Sequence, residues 1–243
     1  MRSIVVSGYK NSGKTAIVDG IVENLSKKGY RVGTIKHVPH SPLSFGDGEA
    51  DTKRHLEAGS EKTVALGSSK VFTLEKREAD LEDIFREMRD LDFVIGEGFK
   101  NSENVPRIIV AENDSNAEEL EDKFTVGFVG AGVEKKPRFE KDALSDIADL
   151  VEEKAVMPPA GMDCGECGYD SCRDYVLSAI SGEAPKEGCI ALSDKVKLLV
   201  DGKRVPLKPF IQDLVERTVT GMITPLKETE GKEIEIKIER DED

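Results

Sequence analysis

Residues 8–15 of this 243-residue chain read Gly8-Tyr9-Lys10-Asn11-Ser12-Gly13-Lys14-Thr15, and this stretch decides the fold. It matches the phosphate-loop pattern G-x-x-x-x-G-K-[ST] at every fixed position. The apolar run Ile4-Val5-Val6 precedes the loop, and Ile17, Ile21 and Leu25 follow it at helical spacing. A buried strand, a glycine-rich loop and an amphipathic helix are therefore predicted in that order, which is the arrangement that binds phosphates at a helix N-terminus.

Phosphate binding explains each residue type in this loop. The glycines let the backbone wrap the phosphates with its N–H groups pointing inward, and the helix N-terminus adds partial positive charge. Lys14 is expected to reach the β- and γ-phosphates, and Thr15 to offer its hydroxyl to Mg²⁺. The candidate binding residues of this segment are Gly8, Asn11, Ser12, Gly13, Lys14, Thr15 and Ala16. The alternative interpretation is an ordinary glycine turn that caps a helix.

Beyond the loop, the chain alternates between short apolar runs and helical patterns. The predicted strands are Val32–Ile35, Thr63–Leu66, Val71–Leu74, Phe93–Ile95, Ile108–Val110 and Val126–Val129. The first helix is predicted to end at Gly29, and further helices are predicted over Leu81–Met88 and Ala143–Lys154. Strands that alternate with helices predict an α/β fold, in which residues 1–155 form a doubly wound, mostly parallel P-loop NTPase domain.

The composition changes after this domain. Met157–Gly161 is typical of a linker, and a four-cysteine segment follows, so a small domain is predicted over residues 156–195. An α+β tail is predicted over residues 196–243. Its expected elements are a hairpin over Val196–Leu207 that turns at Asp201-Gly202, a helix over Phe210–Ile223 and an edge strand over Glu233–Glu239.

The charge balance limits the partners. With 35 Lys and Arg against 48 Asp and Glu, the net charge is −13, which disfavours nucleic acid and anionic membrane surfaces. No apolar stretch approaches the roughly 20 residues that span a bilayer. The N-terminus runs directly into the first predicted strand, without the pattern of a signal peptide. A cytoplasmic protein is expected.

A carboxylate is expected near the magnesium ion. Ligands of open α/β sheets bind at the carboxyl ends of strands, and Glu97 comes just after the predicted strand Phe93–Ile95. Glu97 is therefore the favoured residue for the metal or its waters. Asp92, which opens the same strand, is the alternative carboxylate for this role.

The three histidines of the chain fall between residues 37 and 55, together with several cations. This segment follows the second predicted strand, so Lys36 and His37 are expected at the ligand edge of the sheet. A loop that binds an anionic ligand, such as a phosphorylated pterin, is one interpretation. A solvated surface loop and a zinc site formed by His37, His40 and His55 are the alternatives.

These motifs together resemble a known family. The pieces Ile35-Lys36-His37, Asp51-Thr52, Ala58-Gly59, Glu97-Gly98-Phe99-Lys100 and Pro106-Arg107-Ile108 follow the phosphate loop in the order seen in the molybdopterin-guanine dinucleotide biosynthesis protein B (MobB) family. The resemblance covers roughly residues 1–150. One departure is Gly48-Glu49-Ala50-Asp51-Thr52, where Ala50 replaces a lysine that is usual in the family.

The resemblance implies binding of GTP with Mg²⁺, GTPase activity that is slow at most, and a homodimer. It also implies partners, namely the molybdopterin cofactor or its guanylyltransferase, and the apoprotein of a molybdenum or tungsten enzyme. The sequence lacks an N-K-x-D motif for reading guanine, so the preference for GTP over ATP rests on the resemblance alone.

The four cysteines are the candidate metal ligands. Cys164, Cys167 and Cys172 give the spacing C-x₂-C-x₄-C, and Cys189 follows after sixteen intervening residues. Three close thiolates and one distant thiolate suit the corners of a [4Fe–4S] cluster. Asp170 is expected to cap a helix that ends near Gly182.

This segment resembles the small [4Fe–4S] domain of some anaerobic carbonyl-metabolism and electron-transfer proteins. Structural zinc is the main alternative, although zinc ligands usually come as two close pairs. Disulfides or free thiols are a further alternative, which a reducing compartment disfavours. A cluster in so small a module has two interpretations, because it either stabilises the fold or carries the function.

The leading functional hypothesis is a GTP-binding assembly factor for the molybdenum or tungsten cofactor. The second is a nucleotide-switched protein in which the iron–sulfur cluster transfers electrons or senses redox state. The third is an interaction adaptor in which GTP sets the shape of the protein and hydrolysis is incidental.

Overall fold

The computed structural model describes residues 1–38, 50–79, 81–184, 188–192, 195–201, 203–227, 231 and 233–239. His40, Gly48-Glu49 and Gly202 lie outside the described residues. The chain divides into two compact units, Met1–Cys189 and Ile190–Asp243. The domain boundaries near residues 155 and 195 stay predictions.

The Met1–Cys189 unit contains a parallel sheet. Its strands are β1 (Arg2–Gly8), β2 (Val32–Lys36), β3 (Lys62–Leu66), β4 (Val71–Glu75), β5 (Phe93–Glu97), β6 (Arg107–Val110), β7 (Thr125–Val129) and β8 (Arg138–Phe139). Its helices are α1 (Lys14–Lys27), α2 (Ala50–Glu57), α3 (Leu81–Glu87), α4 (Asp114–Glu118), α5 (Leu144–Lys154) and α6 (Cys172–Ser181). Among the described residues, six strands form one sheet in the order β2-β5-β1-β6-β7-β8, with parallel neighbours throughout. The predicted doubly wound α/β fold is confirmed.

The middle strands of this sheet are apolar on both faces because helices cover both faces. On one face, Ile17 and Ile21 of α1 pack with Ile147 of α5 in a core where all three are at most 1% exposed. On the other face, Phe85 of α3 is buried with Val94 of β5. The phosphate loop therefore emerges from the centre of the sheet, at its carboxyl edge and between β5 and β6.

Strands β3 and β4 correct the sequence prediction. They were expected in the parallel sheet, but they form a separate antiparallel hairpin in the register Leu66 to Val71. The connection between them is a tight turn in which the N–H of Gly67 donates to the carbonyl of Lys70 at 2.9 Å. A connection this short can only join antiparallel strands, since a parallel pair needs a crossover of a dozen or more residues.

The cysteine segment packs on the sheet unit through α6. Tyr175 and Val176 of α6 are buried with Phe124, which precedes β7, and with Val156, which follows α5. Lys154 Nζ donates to the carbonyl of Ile180 at 3.0 Å. The buried area of these side chains fixes α6 against the domain that carries the phosphate loop.

The N-cap of α6 also differs from the prediction. Ser171, not Asp170, caps the helix, since its hydroxyl accepts from the N–H of Asp174 at 3.1 Å. The helix begins one residue later than the cap prediction required, and a Ser or Thr hydroxyl is well suited to this position. The end at Gly182 agrees with the sequence, because this glycine adopts the left-handed conformation there.

The Ile190–Asp243 unit contains a hairpin of β9 (Leu198–Val200) and β10 (Lys203–Val205), followed by α7 (Pro209–Ile223). Both elements agree with the prediction. The predicted edge strand over Glu233–Glu239 is wrong, because these residues have no regular structure. Its isoleucines are exposed, from 44% at Ile234 to 79% at Ile238, and a strand forms only where a neighbour pairs its backbone. Within the described residues, no helix is long and apolar enough to cross a membrane.

Candidate nucleotide site and cysteine site

The phosphate loop is shaped by its glycines. Gly13 has φ 98°, in the left-handed region, and it forms the N-cap of α1. A Cβ on Gly8 would lie 2.5 Å from the carbonyl oxygen of Val110, so only glycine fits where β1 passes β6. Lys14 Nζ donates to the carbonyl of Tyr9 at 2.6 Å, which directs the ammonium group back over the loop.

Ser12 supports the fit of a phosphate group to this loop. Its side chain is 4% exposed, and among the described residues its Oγ atom has no hydrogen-bond partner. A buried hydroxyl without a partner costs about 1–3 kcal/mol, so such an atom usually serves a ligand or water. Ser12 lies within the loop whose N–H groups would surround the phosphates. Ala16 follows in the first turn of α1.

The favoured carboxylate and the loop hydroxyl meet at the edge of the sheet. Thr15 Oγ1 donates to Glu97 Oε1 at 2.9 Å, and Lys36 Nζ lies 3.1 Å from the same oxygen. The parallel register of β2 and β5 places Lys36 beside Glu97. A hydroxyl and a carboxylate are oxygen ligands of the kind that Mg²⁺ prefers, with phosphate oxygens and waters completing the set. Asp92 lies at the opposite edge, where it accepts from the N–H of Arg31 at 2.7 Å.

Three lysines give this edge its positive charge. Burial lowers the pKa of Lys14, Glu97 raises this pKa, and the charges of Lys100 and Lys36 lower it further. The mutual repulsion of these ammonium groups favours an anion among them. A triphosphate fits this distribution of charge.

The segment Glu97-Gly98-Phe99-Lys100 turns sharply after β5. Gly98 has φ 99° and Phe99 has φ 50°. The ring of His37 stacks on that of Phe99, with centroids 5.1 Å apart, and Lys100 Nζ lies 3.9 Å from the ring centroid of Tyr9. The turn that begins at Glu97 therefore contacts both the residue after β2, through Phe99, and the phosphate loop, through Lys100. The zinc alternative of His37, His40 and His55 is not tested, because His40 lies outside the described residues.

Arg107 stabilises this turn through hydrogen bonds to its carbonyl groups, a role that the sequence did not indicate. Its side chain is 1% exposed, and its guanidinium donates to the carbonyls of Lys100, at 2.6 Å, and Ser102. Asp122 lies 3.3 Å from the same group. Burial lowers the pKa of Arg107, and the charge of Asp122 opposes that shift. A basic residue at the start of an otherwise apolar strand is the signal that could have identified it.

We expect Arg107→Lys to lower the free energy of unfolding by about 1–2 kcal/mol, because an ammonium group cannot reproduce the planar fork that serves two carbonyls and a carboxylate. Denaturant titration measures this change. Arg31→Lys is the matched control, since the Arg31 ion pairs are exposed and should contribute less than about 0.5 kcal/mol. Equal losses in the two variants would contradict the role of Arg107.

The four cysteines are free thiols. Cys172 and Cys189 are buried, whereas Cys164 and Cys167 are half-buried. Burial raises the pKa of Cys172, while the backbone groups of Asp163, Met162 and Gly161 hydrogen-bond to the sulfur and lower this pKa. Such N–H donors to a sulfur are typical of cluster-binding thiolates.

Tyr175 is buried in α6, and Cys167 packs against the apolar cluster that contains it. The pKa of Tyr175 is raised to about 12, chiefly by burial and then by the charges of Cys189 and Cys167. Among the described residues, which include all four cysteines, no three potential ligands form a group that could hold a metal ion, so the support for a cluster at this point is the spacing of the cysteines in the sequence.

Comparisons with known proteins agree with this geometry. Residues 3–130 match the family model for molybdopterin guanine dinucleotide synthesis protein B, and residues 160–191 match a family model described as "Putative Fe-S cluster". A relative from Methanocaldococcus jannaschii, named "Putative molybdopterin-guanine dinucleotide biosynthesis adapter protein", is 35% identical over 99% of this chain and 98% of its own length.

A second relative, from Bacillus subtilis, is named "Probable molybdopterin-guanine dinucleotide biosynthesis adapter protein". It is 29% identical over 74% of this chain and 94% of its own length. The crystal structure of Bacillus subtilis MobB aligns with a TM-score of 0.54 and 24% identity, over 62% of this chain and 98% of that structure, and supports the fold alone. The chain therefore belongs to the MobB family of molybdopterin guanine dinucleotide biosynthesis, with an iron–sulfur family domain after its P-loop sheet.

Proposed function

We propose that this chain is a GTP- and Mg²⁺-binding adapter in the formation or delivery of molybdopterin guanine dinucleotide, and that its cysteines hold a [4Fe–4S] cluster. The observation that carries the proposal is the hydrogen bond that Thr15 Oγ1 donates to Glu97 Oε1 at 2.9 Å. It lies beside a loop that matches the phosphate-loop pattern at every fixed position. Membership of the adapter family supports the pathway.

In this proposal the phosphates lie in the loop. The backbone N–H groups and Ser12 would donate to the β-phosphate, and Lys14 would bridge the β- and γ-phosphates. The hydroxyl of Thr15 and a carboxylate oxygen of Glu97, directly or through water, would hold Mg²⁺. Lys36 and His37 would lie beside the terminal phosphate, next to the turn that Arg107 supports.

Hydrolysis by the chain alone is proposed to be slow. The sequence contains one glutamine, Gln212, whose amide donates to the carbonyls of Ala191 and Leu207 in the C-terminal unit. The buried Arg107 is likewise committed to the turn above it. Phosphoryl transfer loses most of its acceleration when no residue orients water or neutralises the transition state, and neither Gln212 nor Arg107 is placed for that role, so a partner is proposed to supply that group. The partners proposed are the cofactor, its guanylyltransferase or a recipient apoenzyme, and the chain is proposed to act as a homodimer.

A nucleotide-switched role for the cluster is the second candidate, and one observation favours it. Phe124, which packs against α6, accepts the backbone N–H of Arg107 at 2.9 Å. The side chain of Arg107 then supports the turn that contains Lys100. A continuous set of contacts thus joins the cysteine helix to the nucleotide edge, although contacts alone do not establish energetic coupling.

Titration calorimetry with GTP and ATP, with and without Mg²⁺, tests the proposed function. Wild-type protein is expected to bind GTP more tightly than ATP, and to require Mg²⁺. Glu97→Gln should raise the Mg²⁺ concentration for half-maximal GTP binding by about three- to tenfold, because it removes the carboxylate charge from the ion.

The matched control is Asp92→Asn, which makes the same kind of change at the other end of β5. It should leave the Mg²⁺ requirement unchanged, because Asp92 lies at the edge away from the loop. An effect of the Asp92 variant without one at Glu97 would contradict the metal assignment. A preference for ATP would contradict the guanine assignment.

A further inference from the structure

An open cleft of about 520 Å³ adjoins the phosphate loop on the side away from Glu97. It lies at the carboxyl ends of β6, β7 and β8, and its walls include Glu112, Gly130–Gly132 and Glu140–Asp142. Its volume falls in the range of small-molecule sites, which is about 300–1,000 Å³. None of the nucleotide contacts discussed above uses it.

Lys141 joins this cleft to the loop. Its Nζ atom lies 3.6 Å from the position that a Cβ on Gly13 would occupy, so the side chain crosses the N-cap of α1. A group that leaves the loop at Gly13 would pass directly under the stem of Lys141. The cleft and the phosphate loop therefore form one continuous surface.

The direction of a bound nucleotide follows from the order of the strands. Thr15 and Glu97 would hold Mg²⁺, so in the proposed complex the terminal phosphate would lie towards Glu97 on β5. The nucleoside must then extend the other way, across β6 towards β7 and β8. A smaller cavity of about 360 Å³ lies beside Tyr9 and Lys10 at the start of the loop, whereas the larger cleft adjoins Gly13 at its helical end.

The carboxylates of the cleft differ in their availability. Glu140 is paired with Arg138 at 3.0 Å. Asp142 and Glu112 are both exposed and have no ion pair or side-chain hydrogen bond among the described residues. Asp142 is favoured because it follows Lys141, whose side chain reaches the phosphate loop. The Watson–Crick edge of guanine presents the N1–H and N2–H donors to an acceptor, whereas adenine presents an acceptor at N1. An unpaired carboxylate in this cleft would accept from guanine and repel adenine.

We propose that this cleft holds the nucleoside of the bound nucleotide and that Asp142 selects guanine by accepting from its N1–H and N2–H groups. The stem of Lys141 covers the base or ribose where they leave the loop. This assignment rests on the proposed binding of GTP, and it supplies the guanine discrimination that the missing N-K-x-D motif leaves unassigned.

The test is calorimetric titration of the full-length chain with GTP, ATP and xanthosine triphosphate in Mg²⁺. An asparagine donates where aspartate accepts, and xanthine has a carbonyl in place of the guanine amino group. Asp142→Asn should therefore weaken GTP by about tenfold and strengthen xanthosine triphosphate by about tenfold, with ATP binding no weaker than in wild type. Asp142→Ala should weaken GTP without the gain for xanthosine triphosphate.

Two controls separate the possible failures. Asp146→Asn, in the first turn of α5, and Glu112→Gln, elsewhere in the cleft, should keep the wild-type order of nucleotides. If wild-type protein binds no GTP, the proposed function itself fails. If wild type binds GTP but Asp142→Asn still prefers GTP to xanthosine triphosphate, only the assignment of Asp142 is overturned. The same holds if Glu112→Gln, and not Asp142→Asn, weakens GTP and strengthens xanthosine triphosphate.

Discussion

Replacing Cys167 by Ser is expected to remove nearly all iron and sulfide from anaerobically prepared protein, where wild type should carry about four of each per chain. Cys167 lies in the tight loop between Gly165 and Gly168, and it packs against the apolar cluster that contains Tyr175. Losing this thiolate opens one corner of the cluster at the point where the chain must wrap it. Iron and acid-labile sulfide assays, with the visible absorption spectrum, measure the loss.

Two further variants make this prediction specific. Cys189→Ser should leave three ligands and an oxygen-labile cluster, since this thiolate reaches the site from beyond α6. Asp170→Asn is the matched control, because this exposed carboxylate lies in sequence between the proposed ligands Cys167 and Cys172 without being one of them. Wild-type iron in the Cys167 variant, or one zinc and no sulfide in the wild type, would exclude the proposed cluster.

The same preparations decide whether the cluster is structural or coupled to the nucleotide. If it only stabilises the fold, cluster-loaded and cluster-free protein should bind GTP equally. If the contacts through Phe124 and Arg107 carry coupling, the two affinities must differ, and GTP must change cluster stability by the same free energy.

Replacing Lys14 by Ala is expected to weaken GTP binding by between roughly 10- and 100-fold. The ammonium group would contact two phosphates, and charge-assisted contacts of this kind contribute about 1.5–3 kcal/mol. The surrounding site should keep its shape, because Lys14 is half-buried and the core beneath it is formed by Ile17 and Ile21. Calorimetric titration with GTP in Mg²⁺ measures the change.

Lys27→Ala is the control for this variant. It removes the same charge from the last turn of the same helix, where the side chain pairs with Glu23 and is 68% exposed. Its GTP affinity should match that of wild type. Equal affinities in all three proteins would show that the nucleotide does not use the phosphate loop.

The sequence was informative where local chemistry decides the structure. The loop, the strand before it and the helix after it follow from residues 4–25 alone, because glycine placement and apolar spacing act over short distances. The position of Glu97 beside Thr15 also followed, since it depends only on the parallel order of neighbouring strands. Its role as a metal ligand stays a prediction, as do those of the other site residues.

Features that depend on packing between distant segments were not predictable. The pattern of β3 and β4 is that of ordinary strands, and the short turn at Gly67 makes them antiparallel to each other, in a sheet of their own. Arg107 looked like a piece of a family motif, but its role depends on carbonyls of a turn that the sequence does not place above it. The packing of α6 against Phe124 brings together residues that are about fifty positions apart in the sequence.

The burial of Arg107 has a consequence for ionic strength. Counter-ions weaken surface pairs such as Lys27–Glu23, but they barely reach a guanidinium that is 1% exposed. The turn that carries Lys100 should therefore keep its shape in concentrated salt. Nucleotide affinity in concentrated salt would then change mainly through screening of the phosphates and of the lysines around them.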